Sequence, residues 1–195
     1  MYSFREPETA AIRDFLTDRA GAPFTYPEVG LTASGRPKGY NIDRGRIQLG
    51  AGPEAFEKAR RALRNWRMFS LAWVKLCWPF KKIQPGVLVG VLAHHFGFWS
   101  LNAARIVYVI DEPRRFGFAY GTVGDHVERG EERFLVEWRG DDTVWYEITA
   151  FSRPAHWTVW LGYPLSRGIQ ARFRRDSLRA MLEAMFDSER TAARV

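Results

Sequence analysis

Apolar residues along this 195-residue chain change their spacing more than once, and the changes divide it into regions. Near the N-terminus Ile12, Phe15 and Leu16 fall at helical spacing behind Pro7, which predicts a short helix over residues 7–19 stopped by Gly21. Residues 21–43 are rich in Pro and Gly. Phe24, Tyr26, Val29, Leu31 and Tyr40 give this stretch apolar anchors, so an ordered loop is expected. A short strand is expected over 44–49, broken by the Gly50-Ala51-Gly52-Pro53 run. A helix then follows, with Pro53 near its start and Glu54 in its first turn. Phe56, Ala59, Leu63, Trp66 and Phe69 form its apolar stripe, and Lys58, Arg60, Arg61, Arg64 and Arg67 take the other positions.

From residue 87 the period shortens to that of strands. Runs over 87–96, 105–110, 116–122, 133–138 and 143–152 are separated by gaps short enough to favour antiparallel neighbours, and Gly140-Asp141-Asp142 marks one turn. Helical spacing returns over 163–187, where Leu165, Ile169, Phe173, Met181 and Met185 make a stripe that Leu178 and Leu182 widen. Ile169 and Phe173 are expected in the core, and Arg167, Arg172, Arg174, Arg175 and Arg179 on the exposed side. The pattern describes an α+β fold: a curved antiparallel sheet with one apolar face, covered by the long C-terminal helix. Such a pair of layers leaves a gap that can hold a ligand. A single domain over 1–195 is expected, with an N-terminal extension over 1–43, a core over 44–187 and a tail over 188–195.

Composition narrows the function classes. Aromatic residues make up 15% of the chain, including eight Trp, enough to fill a core and also line a cavity. The net charge of +7 would attract anions, but the chain has no Lys/Arg-rich tail and its acids are spread along it, so nucleic acid is not the expected partner. With Cys77 as the one cysteine, no disulfide can form within the chain, and its setting in LAWVKLCWPF suggests a buried structural thiol. The N-terminus has early acids and no apolar core of a signal peptide, and no run reaches the 18 apolar residues of a spanning helix. A cytoplasmic protein without a membrane span is expected; oligomeric state is not legible.

The candidate chemistry concentrates between Gly117 and Pro154. Strand alternation puts Glu132 on the face of Phe134, Val136 and Trp138. It puts Tyr146 and Ser152 on the face of Val144, Ile148 and Ala150. Tyr120 shares a face with Phe116 and Phe118. The candidate ligand-binding set is therefore Tyr120, His126, Glu132, Tyr146 and Ser152, with Arg153 on the outer face as a salt-bridge or anion contact. The bland alternative is a charged connection in which Arg129 and Arg133 neutralise Glu128, Glu131 and Glu132. No HxxxH or CxxC spacing supports a metal site, and no cofactor is implied. GFAYGT lacks the Lys and the strand–loop–helix context of a phosphate loop. His94 and His95 occupy adjacent strand positions, so one is expected in the core and the other exposed. His156 is read as a packing or turn residue.

Several segments carry a family resemblance: TYPEVGLT (25–32), PKGY (37–40), LGAG (49–52), RIVYVIDE (105–112), GFAYGT (117–122), HVERGEERF (126–134) and VWYEITAFSRP (144–154). Together they resemble an uncharacterised domain-of-unknown-function family of bacteria and plants, and the order of elements resembles the helix-grip fold of the START/SRPBCC superfamily. The resemblance implies a cavity for small hydrophobic or amphipathic molecules. Some superfamily members are cyclases or hydroxylase subunits, but the paired Cys/His spacing of an iron–sulfur module is absent. Three readings stand on the sequence: a small-molecule binding protein; a cyclase-, isomerase- or hydrolase-type enzyme using His126 and a glutamate; and an anionic-surface or protein-interaction module using the basic helices.

Overall fold

A computed structural model of the chain describes residues 1–35, 37–77, 82–125, 128–154 and 163–186. Their elements are β1 (Tyr2–Ser3), α1 (Thr9–Asp18), β2 (Asn41–Ala51), α2 (Gly52–Arg64), β3 (Val74–Cys77), β4 (Leu88–His95), β5 (Phe98–Glu112), β6 (Arg115–Thr122), β7 (Glu128–Trp138), β8 (Thr143–Pro154) and α3 (Tyr163–Ala184), with 3-10 turns at Leu31–Ala33 and Arg67–Phe69. All strand pairs are antiparallel, in the order β2-β8-β7-β6-β5-β4-β3. β1 adds to β5 at Ser100 and Trp99, beyond the point where β6 stops pairing. This is the antiparallel sheet followed by a long C-terminal helix that the spacing predicts, in the helix-grip order that the resemblance implies.

The inner face of the sheet carries the main core. Phe118, Phe134, Val136, Val144 and Ile148 are buried beneath Phe56 and Leu63 of α2, Phe69 of the second 3-10 turn and Met181 of α3. The predicted α2 stripe is buried at all five positions, although the helix itself ends at Arg64: Trp66 takes a positive φ of 57° and turns the chain so that Trp66 and Phe69 still reach the core. Two arginines of α2 pair across to the sheet, Arg60 and Arg64 meeting Asp111 at 2.5 and 2.9 Å.

The N-terminal segment builds a second layer on the outer face. α1 sets Leu16 against Ala103 and Val123. The following loop lies across β6–β8 and is fixed there by Glu131. This buried carboxylate accepts hydrogen bonds from the Tyr26 hydroxyl (2.8 Å), the Gly30 amide (2.7 Å), the Thr32 amide (3.0 Å) and the Thr32 hydroxyl. Arg133 does not neutralise Glu131 as the bland alternative supposed. Its guanidinium pairs with Glu147 at 2.6 Å and donates to the Thr32 carbonyl at 3.0 Å, bracing the same loop. Gly121 admits the loop: a Cβ there would lie 1.9 Å from the Tyr26 hydroxyl. Burial and the Glu131 charge hold the Tyr26 phenol far above its ordinary pKa, so it stays a donor.

Several elements differ from the reading of spacing. β1 and β3 are too short to show a period, and β2 and β5 run well past the expected 44–49 and 105–110. The extra length comes from backbone pairing: β2 pairs with β8 from Asn41 to Ala51 although its side chains are mostly polar. His94 is exposed and His95 buried, as alternation requires. Cys77 is half-buried with its thiol pKa pushed up by burial. The α3 stripe needs correction. Met181 and Met185 are core, Ile169 and Phe173 are half-buried, and Leu165 is 46% exposed. Arg167 and Arg174 are half-buried and both pair with Asp43. The tail over 188–195 and His156 lie outside the described residues.

These placements rank α3 substitutions. Met181→Ala is expected to cost about 2–5 kcal/mol and Phe173→Ala on the order of 1–2 kcal/mol. Leu165→Ala should stay within about 0.5 kcal/mol of wild type in denaturant melts; a different order would mean the helix presents another face. Gly121→Ala should displace Tyr26, lower stability by roughly 1–3 kcal/mol and speed proteolysis within residues 20–40.

Candidate functional site

The N-terminal half of α3 stands off the sheet. Glycine decides where the two layers touch: a Cβ at Gly45 would come within 2.9 Å of the Arg174 side chain and 3.0 Å of Leu178. Toward the N-terminus of the helix, polar struts supplement the packing of Ile169 and Phe173. Arg174 and Arg167 both donate to Asp43, each at 2.8 Å to Oδ1. Ser166 and Gln170 both donate to Glu128, and Gln170 also donates to the Ser152 hydroxyl at 3.2 Å. On the other flank the Trp73 indole donates to Asp176 of α3 at 3.0 Å, and Arg172 lies 4.4 Å over the Trp73 ring.

Between helix and sheet lies a cavity of about 290 Å³. Its apolar wall includes Val74, Val91, Ala93, Ile148, Ile169 and Phe173. Its polar groups include Asn102, Tyr120, Glu128, Glu132, Ser152 and Arg174. A largely apolar chamber with a few convergent polar groups is what a small-molecule site requires.

Glu132 dominates the electrostatics. It faces inward from β7, and the Tyr120 hydroxyl donates to its Oε2 at 2.8 Å. Burial pushes its carboxyl up from the ordinary 4.5 to about 7, with the Asp43 charge adding to the rise and the Tyr120 hydrogen bond and Arg174 opposing it. Burial and Glu132 together hold the Tyr120 phenol well above its ordinary range. Burial would also raise Asp43, but Arg167 and Arg174 outweigh it and keep that carboxyl low. Glu132 is thus the cavity carboxyl whose proton can come and go near neutral pH.

The residues expected from sequence fall into different places. Tyr120, Glu132 and Ser152 line the cavity together. Tyr146 is sealed in the core, its hydroxyl 3.1 Å from that of Ser177 on α3, and is not among the lining residues. Arg153 stacks 4.4 Å from the centre of the Tyr40 ring on the outer side, beside the loop that covers Phe151. His126 lies outside the described residues. Sequence reasoning missed Asp43, Arg174, Gln170 and His95. His95 lines the cavity, is 9% exposed, and its Nδ1 meets no hydrogen-bond partner among the described residues. Burial, His94 and Arg172 lower its pKa, so it is neutral at pH 7. The one usable signal was phase: Asp43 lies two and four residues before Gly45 and Ile47, which share its face. Among the described residues no group of three or more His, Cys, Asp or Glu could hold a metal ion, and no helix is long and apolar enough to cross a membrane.

Residues 25–180 match the family described as Domain of unknown function (DUF1990). A UPF0548 protein of Dictyostelium discoideum is 38% identical over 95% of this chain and 96% of its own length. A UPF0548 protein of Deinococcus radiodurans is 36% identical over 94% of this chain and 98% of its own. Among solved structures, TTHA0849 from Thermus thermophilus superposes with a TM-score of 0.54 at 12% identity, covering 76% of this chain and 99% of that one, which is a likeness of fold alone.

The raised Glu132 carboxyl sets a sign for stability. A folded-state pKa above the unfolded value means stability is highest below about pH 4.5 for this group and is lost as pH rises through about 7. Glu132→Gln removes that loss. The variant should therefore gain on the order of 2 kcal/mol over wild type at pH 8, discounted for the partly open site, and little at pH 5, read from paired melts. Equal pH profiles would show that the carboxyl is not held in its neutral form.

Proposed function

The chain belongs to the DUF1990 family, and within it we propose that this protein binds a small, largely apolar molecule with a polar end in the chamber between the sheet and α3. The observation that carries the reading is the 290 Å³ cavity itself, which the helix spans on polar struts without filling. Tyr120, Glu132 and Ser152 are the proposed ligand contacts on the polar side, and His95 stands in the cavity wall. Ile148, Ile169 and Phe173 receive the apolar body.

A second reading rests on the same carboxyl. A buried Glu that titrates near neutrality beside a phenol can act as a general acid or base. It differs from the first in one outcome: a binding protein returns its ligand unchanged in covalent structure as well as in mass.

Purified protein, examined by native mass spectrometry and by titration with the neutral fluorophore N-phenyl-1-naphthylamine, tests the proposal. Wild type should retain a small molecule or bind the probe. Ala150→Trp, which fills the chamber from β8, should lose most of that binding while keeping a cooperative melt. Tyr146→Phe, which alters the sealed phenol, should bind as wild type. Equal binding by Ala150→Trp, or no binding by wild type, overturns the proposal.

A further inference from the structure

The charged groups bordering the cavity are unequal in number, and they are committed unequally. Resting on the binding reading above, we propose that the chamber takes an amphipathic amine, its protonated nitrogen against Glu132 and its apolar body along Ile148 and Phe173. Among the described residues the lining holds four carboxylates, Asp43, Glu128, Glu131 and Glu132, and one guanidinium, Arg174. That guanidinium is already given to Asp43, at 2.8 Å. Glu131 turns outward and is satisfied by Tyr26, Gly30 and Thr32. Glu128 accepts from Ser166 and Gln170. Among the described residues Glu132 has the Tyr120 hydroxyl on Oε2, no hydrogen-bond donor on Oε1, and no ion pair, Arg174 acting on it only from a distance.

A carboxylate can accept about four hydrogen bonds, so a protonated amine supplies both the donors and the charge that Glu132 lacks. The rings of Tyr120 and Phe173 border the same space, and their faces attract an ammonium group and not a carboxylate. An anionic head would instead be set beside Asp43, Glu128 and Glu132, where the one guanidinium among the described lining residues, Arg174, is already paired with Asp43. The groups facing Glu132 are Asp43 of β2, Tyr120 of β6, Tyr146 of β8 and Arg174 of α3; both phenols keep their protons, and Asp43 and Arg174 are charged and paired. Glu132 is therefore the group that answers the incoming charge. Its proton passes to the buffer as the ammonium takes its place.

Calorimetric titration with decylamine, decanol and decanoic acid at pH 7, in two buffers of different ionisation heat, tests this. Decylamine should bind wild type at least about tenfold more tightly than decanoic acid, as one charge-assisted hydrogen bond warrants. Its binding should release protons. Glu132→Gln should weaken decylamine about tenfold more than it weakens decanol and abolish the proton release. Decylamine no tighter than decanol, or unaffected by Glu132→Gln, overturns the amine inference while decanol binding upholds the cavity. Failure of all three ligands and of the neutral fluorophore brings down the cavity reading and this inference with it.

Discussion

The chamber exists because α3 is held to the sheet in two different ways. Its C-terminal half packs as a core helix, with Met181 and Met185 buried against the inner face. Its N-terminal half is held by side chains that span a distance: Arg167 and Arg174 to Asp43, and Ser166 and Gln170 to Glu128. Apolar packing would have closed the gap, since contacts between side chains gain only at van der Waals separation. Charged and amide groups with long stems keep the layers apart while satisfying each other. Gly45 marks the place where the helix comes down onto β2, because a Cβ there would crowd the Arg174 and Leu178 side chains.

Two adjacent carboxylates on β7 divide the work of the molecule. Strand alternation sends Glu131 to the outer face and Glu132 to the inner one. Glu131 is fully engaged by the loop that it holds, so it stays a structural anchor. Among the described residues Glu132 has one hydrogen-bond partner, and it lines the chamber. The same strand thus fixes an outer layer and presents a titratable group inside. The polar density between Gly117 and Pro154 is explained by both duties at once.

The outer layer also accounts for several of the segments that carry the family resemblance. Tyr26, Gly30 and Thr32 of TYPEVGLT meet Glu131 of HVERGEERF, Tyr26 sits over Gly121 of GFAYGT, and Tyr26 and Tyr40 close on Phe151 of AFSRP. These segments are far apart in the chain and come together on one face of the sheet. In this chain Tyr26, Gly121, Glu131 and Phe151 of these motifs mark where the N-terminal layer docks on the sheet.

Sequence alone determined what is local. The helical stripe of Phe56, Ala59 and Leu63, the antiparallel meander, and the inward phase of Tyr120, Glu132 and Ile148 all follow from side-chain period, because each residue's direction is fixed by its immediate neighbours. Tertiary structure alone decided what depends on distant partners. Nothing in the spacing tells that Asp43 takes both Arg167 and Arg174, or that Glu131 is spent on a loop a hundred residues earlier. The same holds for Tyr146, which closes on Ser177 while Tyr120 opens to the chamber. Leu165 keeps helical phase with the core and is still exposed, since a helix anchored at one end and propped at the other need not bury its whole stripe. Period records which way a side chain points; only the packed layers fix what it meets there.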